Sequence, residues 1–160
     1  MIPASVFIPF FVLVGLYPVC ILLHEFGHAI PILLTGRNAH VIMGDDSGKT
    51  FQFGKLKLTF GISGAGIMYR GYCRWDGNVP TRTELIVTLG GPIVTLAIVA
   101  ILTIFVDLNP EGTLETSIYY LWVSQTLLLV LTSLPMTLPS WLYPSESDND
   151  GKQILDILLS

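Results

Sequence analysis

The chain has 160 residues, of which 51% are hydrophobic and only 12% charged, with a formal net charge of −4 at pH 7. Soluble domains carry about a quarter charged residues, so this balance excludes an ordinary soluble domain and fits a membrane protein. No basic stripe remains once the cations flanking apolar segments are set aside, which excludes a nucleic-acid partner.

In chain order, the first element is an apolar run. Ile2 to Leu23 contains no Asp, Glu, Lys or Arg, and the run continues past His24, Glu25 and His28 to Leu34, ending at Thr35-Gly36-Arg37. It lacks the cationic start, short apolar core and small-residue cleavage site of a secretory signal, so it is expected to persist as a helix over about residues 2–34. That length exceeds one bilayer crossing and predicts a tilt, or a kink near Gly15 and Pro18. Two histidines four residues apart share one helical face, so the imidazoles of His24 and His28 can reach one metal ion. Glu25, one step round the helix, can point at the open side of such a metal, where a carboxylate takes a proton from acidified water. Ionisable groups inside an apolar run are costly, which favours a functional site over ordinary interhelical hydrogen bonding.

Residues 39–76 read as a β-rich insertion. Val41 to Met43, Phe51 to Phe53, Lys55 to Phe60 and Met68 to Trp75 are the expected strands. Asp45-Asp46-Ser47-Gly48 suggests a hairpin turn after the first of them. Gly61 to Gly66 lacks the Lys and Ser/Thr of a phosphate loop and reads as flexible backbone. Two further apolar blocks, about residues 85–106 and 118–138, each suffice to cross a bilayer. The tail from Glu146 to Lys152 holds the candidates for a third metal ligand, Glu146, Asp148 and Asp150. Gly151 to Ser160 places Ile154, Leu155, Leu158 and Leu159 together on an amphipathic helix. The two cysteines, Cys20 in an apolar block and Cys73 in the insertion, are not expected to form a structural disulfide. Cys20 lies four residues before His24 and reads as an ordinary packed membrane cysteine. For His40, Ser124 and Gln125, local hydrogen bonding is expected.

Seven of the 8 Lys and Arg residues (Arg37, Lys49, Lys55, Lys57, Arg70, Arg74 and Arg82) lie between the first two spans, the last is Lys152, and none lies between Val106 and Ile118. The positive-inside rule then places residues 35–84 and the C-terminus in the cytosol, with the N-terminus outside. The overall expectation is a single membrane-embedded domain over residues 1–160, predominantly α and multi-pass, with about three transmembrane helices. A β-rich insertion at about 39–76 separates the first two, and a ligand loop with a short helix fills 145–160.

Three patterns in this order carry a resemblance: His24-Glu25-Phe26-Gly27-His28, Gly90-Gly91-Pro92-Ile93-Val94-Thr95 in the second span, and Asp150-Gly151 after the third. With these spans they resemble a compact member of the site-2 protease family of intramembrane zinc metalloproteases. The resemblance implies a Zn2+ cofactor held by His24, His28 and Asp150, Glu25 as the general base, and cleavage of membrane-anchored protein substrates in the lipid bilayer. It also implies that the insertion helps present substrate, the edge of the strand expected at 51–60 being available for strand addition. The family usually carries Asn three residues after the Pro, where this chain has Thr95. Gly151 supports Asp150 over Asp148 and Glu146, because glycine permits the backbone of a loop turning back to a buried metal. The competing reading is a non-cleaving, metal-dependent membrane binding or regulatory protein built on the same fold.

Overall fold

The computed structural model describes residues 12–61, 70–138 and 147–160. A π-helical turn at Val12–Leu16 leads into helix α1 (Tyr17–Leu34), so the winding changes around Gly15 and Pro18, where the sequence predicted a kink. Pro18, in the first turn of α1, has no N–H to donate back into the π-helical turn before it. Gly36 ends the helix: its φ of 79° is left-handed, and its N–H donates to the Leu33 carbonyl at 2.9 Å.

Helix α2 (Thr81–Phe105) and helix α3 (Thr113–Ser133) follow the β insertion, and short helix α4 (Asp150–Leu159) closes the chain. Among the described residues, three helical segments are long and apolar enough to cross a membrane: Val14–Leu34, Thr81–Phe105 and Thr113–Ser133. The third begins before the expected residue 118. The Glu115 carboxylate accepts from the Gly112 N–H at 2.9 Å and the Glu111 N–H at 3.2 Å, so a polar first turn starts the helix. It also stops at Ser133, short of the expected residue 138. Thr137–Leu138 instead forms β5, paired antiparallel with β6 (Ser147–Asp148). The first ten residues of the first expected span, 2–11, lie outside the described residues.

The insertion is a four-stranded sheet of β1 (Ala39–Met43), β2 (Lys49–Phe53), β3 (Leu56–Phe60) and β4 (Gly71–Trp75), in the order β2-β3-β1-β4. The hairpin expected at Asp45–Gly48 does not form. β1 runs parallel to β3, and β2 turns back on β3 through Gly54, whose φ is 60°. Phe51 to Phe53 and Leu56 to Phe60 thus fall in two separate strands, β2 and β3, as the alternation suggests. The Asp45–Gly48 segment is tied across to β4, where Asp46 accepts from Tyr72 Oη and pairs with Arg74 at 2.9 Å. The Tyr72 hydroxyl is pushed up to about 12 by burial and by this hydrogen bond. Most of the glycine-rich segment, residues 62–69, lies outside the described residues.

One face of the sheet packs on α1. Ala39 and Val41 join Ala29 and Ile32 of α1 and Val87 of α2 in the buried core, with Leu56, Leu58, Cys73 and Trp75 against it. Helices α1 and α2 cross where Gly27 meets Gly90, and a Cβ on either would clash with the backbone carbonyl of the other. Small residues at such a crossing let helix backbones approach closely.

Candidate metal centre

That close crossing places the second helix directly over the two histidines. His24 and His28 are one turn apart on α1 and both buried, with ring centroids 5.0 Å apart and edge to face. A Cβ at Gly91 would lie 2.6 Å from His24 Nε2 and would clash with His28 Nε2, so the missing side chain is what leaves room between the rings and α2. Each ring is held from behind. His28 Nδ1–H donates to the Val87 carbonyl at 2.7 Å, which leaves Nε2 of the neutral ring as a lone-pair donor. His24 Nδ1 bonds Thr95 Oγ1 at 2.7 Å, and Thr95 is fully buried. Thr95 thus has a place in the site, as a partner of His24.

Asp150 comes from the far end of the chain. Its carboxylate lies 3.0 Å from His24 Nε2 and 3.5 Å from His28 Nε2, and the two Nε2 atoms are 3.3 Å apart. These three residues form a group, one ligand atom from each, that could hold a metal ion. Burial pushes the Asp150 carboxyl up, but hydrogen bonds and charge from the two histidines, when they are protonated, outweigh it and hold the group at about 2. It therefore stays ionised at neutral pH, as a ligand must.

The neighbours of Asp150 explain its position. Asn149, buried at the N-cap of α4, donates from Nδ2 to the Leu131 and Leu134 carbonyls at 2.6 and 2.5 Å. Its Oδ1 accepts from the Lys152 and Met136 N–H groups at 3.0 and 3.2 Å. One amide thus satisfies orphan groups at the end of α3 and the start of α4. Gly151 sits in ordinary helical backbone, where a Cβ would clash with the Ser133 carbonyl. Its role is close approach, and not the unusual backbone conformation expected from sequence. Asp148 lines the same cavity but is outside the metal-capable group, its carboxylate accepting from Thr137 Oγ1 at 2.7 Å, and Glu146 lies outside the described residues.

Glu25 is buried beside the histidines, beneath the edge of the sheet. A Cβ at Gly71 of β4 would lie 2.6 Å from Glu25 Cγ and 2.8 Å from Oε1, so the strand approaches this carboxylate only because residue 71 is glycine. Glu25, the two histidines and Asp150 line one cavity of about 360 Å³, walled by β4, by Leu128 and Leu131 of α3, and by Asn149 and Gln153. Cys73 also faces it; burial, aided by the Glu25 charge, pushes its thiol up to about 12, so at neutral pH it is a protonated thiol.

β4 is an edge strand. The Gly44 N–H donates to the Arg70 carbonyl at 2.8 Å, which sets the ladder phase: Arg70, Tyr72 and Arg74 bond to β1, while the backbone groups of Gly71, Cys73 and Trp75 turn away from it. Those three residues, with Tyr72, line the cavity. The edge suggested from sequence, within 51–60, belongs to β2 at the opposite side of the sheet.

Of the remaining candidates, Cys20 is buried but outside the metal-capable group. His40 bonds Thr59 Oγ1 at 2.7 Å and Ser124 bonds the Leu121 carbonyl at 2.8 Å, both local as expected. Gln125 departs from that expectation: its amide is fully buried, and neither polar atom finds a hydrogen-bond partner among the described residues. Comparisons with protein-family models, curated proteins and solved structures find no match to this chain.

Proposed function

We propose that this chain is a membrane-embedded zinc metalloendopeptidase that hydrolyses peptide bonds of membrane-anchored proteins, with Glu25 as general base. The observation that carries this reading is the meeting of His24, His28 and Asp150 in one cavity with Glu25. Ligand atoms bound to a tetrahedral zinc at ~2.1 Å lie roughly 3.4 Å from one another. The two Nε2 atoms, 3.3 Å apart, fit that figure, and each has an Asp150 oxygen at a comparable distance, Oδ2 3.0 Å from His24 and Oδ1 3.5 Å from His28. Two imidazoles and one carboxylate also suit zinc better than calcium or magnesium, which take oxygen ligands.

When bound, zinc supplies Lewis acidity, which makes water a nucleophile at neutral pH and polarises a carbonyl. The protein's own residues do the rest. Val87 and Thr95 hold the two rings in orientation. Glu25 accepts a proton from the attacking water on a carboxylate oxygen and passes it to the amine nitrogen of the departing chain. The outward-facing backbone of Gly71, Cys73 and Trp75 offers an extended peptide a ladder beside Glu25, so that an unwound substrate joins the sheet as an added strand. The three apolar helices and the cation asymmetry support a multi-pass placement in the cell membrane, with residues 35–84 and the C-terminus cytosolic.

The test is Glu25→Gln in purified protein, assayed for metal content and for cleavage of single-span membrane substrates. Metal should be retained, because Glu25 is outside the ligand group, while the cleavage rate should fall by about 10²–10⁴-fold. Unchanged cleavage would remove the mechanism. A metal-loaded wild type that binds membrane helices and cuts none would favour the non-cleaving regulatory reading.

A further inference from the structure

Strand β2 stands at the sheet edge remote from the metal centre, and all five of its residues are exposed. Its register with β3 sets Phe51 opposite Leu58 and Phe53 opposite Leu56, so both rings share the apolar face that packs over α1. Four strands about 4.8 Å apart make a sheet roughly 14 Å across, wider than a helix of about 10 Å. The apolar face therefore overhangs its support, and Phe51 and Phe53 are left 41% and 62% exposed.

The charges of this hairpin are all of one sign. Lys49 stands over the Phe51 ring, 5.3 Å from its centroid, Lys55 and Lys57 are exposed, and no Asp or Glu occurs between Lys49 and Trp75. Among the described residues, Lys49, Lys55 and Lys57 make no ion pair, and Lys55 Nζ donates to the Gly36 carbonyl at 2.5 Å. Apolar rings on one face, with lysines beside and behind them, are the composition of an interfacial anchor: rings enter the acyl boundary and lysine stems reach up to phosphates. A neutral surface would satisfy the rings alone; three lysines with no carboxylate partner among the described residues select an anionic one. Edge lysines also oppose strand pairing with another copy of the chain.

We infer that the β2–β3 hairpin docks on anionic phospholipid headgroups, with Phe51 and Phe53 seated in the lipid and Lys49, Lys55 and Lys57 holding the phosphates. The inference rests on the membrane placement proposed above and is independent of the metal and of proteolysis.

The full chain, in nanodiscs of phosphatidylcholine alone or of equimolar phosphatidylcholine and phosphatidylglycerol, tests it by amide hydrogen exchange. Each lysine near an anionic leaflet contributes roughly a fivefold factor to docking. Amides of residues 49–57 should therefore exchange at least about fivefold more slowly in the anionic discs. The difference should vanish when Lys49, Lys55 and Lys57 are all replaced by Gln. Equal exchange in the two lipids, or slowing that survives the triple substitution, would overturn the inference. Protection that rises with the number of chains per disc would assign the face to a second copy and overturn it as well. The helix amides report separately: if α1, α2 and α3 exchange freely in both discs, the membrane placement itself fails and the docking inference falls with it.

Discussion

His24 and His28 were legible because histidine is rare, the spacing is helical, and ionisable groups inside an apolar run demand an explanation. What holds them was not. A carbonyl such as that of Val87 leaves no mark in a sequence, and a threonine or glycine in an apolar helix is too common to single out. Thr95 and Gly91 nonetheless decide the geometry of the rings. Replacing Thr95 by Val removes the partner of His24 Nδ1 while keeping the shape, so metal affinity should fall by about 10–100-fold with helical content unchanged. Gly91→Ala puts a methyl group against both Nε2 atoms and should lower affinity further. Competition with a chromophoric chelator measures both; unchanged affinity in Gly91→Ala would mean that the rings do not meet a metal on the side facing α2.

At the scale of elements, the existence of the helices was readable from charge-free blocks, but their ends were not. Polar first turns at Thr81 and Thr113 belong to helices that hydropathy alone starts later, and capping by Glu115 is what extends the third. The strands were visible in alternation, whereas their partners were not, because pairing depends on which loop crosses the sheet. Asp46 bonding to Tyr72 and Arg74 draws the Asp45–Gly48 segment to β4, and β3 rather than β2 lies beside β1. The joint between α3 and α4 was likewise hidden, since nothing marks Asn149 until its four bonds are seen. Asn149→Ala should orphan carbonyls at the end of α3 at roughly 1–3 kcal/mol for each buried group. It should also reduce metal content, because Asp150 loses its anchor. Gly151→Ala should act in the same direction through its clash with Ser133. Thermal melts with metal analysis check both, and normal metal content in both variants would show that Asp150 is positioned by something else.

For the whole molecule, helices α1 and α4 meet: the His24–Asp150 contact spans 126 positions in sequence. A site assembled this way needs the C-terminal end of α1 and the N-terminal end of α4 on the same side of the membrane, as the cation asymmetry predicts. Exposed positions on the two connecting segments test that orientation. In a background with Cys20 and Cys73 replaced by Ala, a membrane-impermeant thiol reagent added outside intact cells should label Asn109→Cys and spare Ser47→Cys; the reverse pattern would invert the proposed topology. The central claim, a metal held across the ends of the chain, is tested most directly by the zinc content of purified wild type, Asp150→Asn and Asp148→Asn. Wild type and Asp148→Asn should each carry about one zinc per chain, and Asp150→Asn should lose it. A metal-free wild type, or full zinc in Asp150→Asn, would contradict the account.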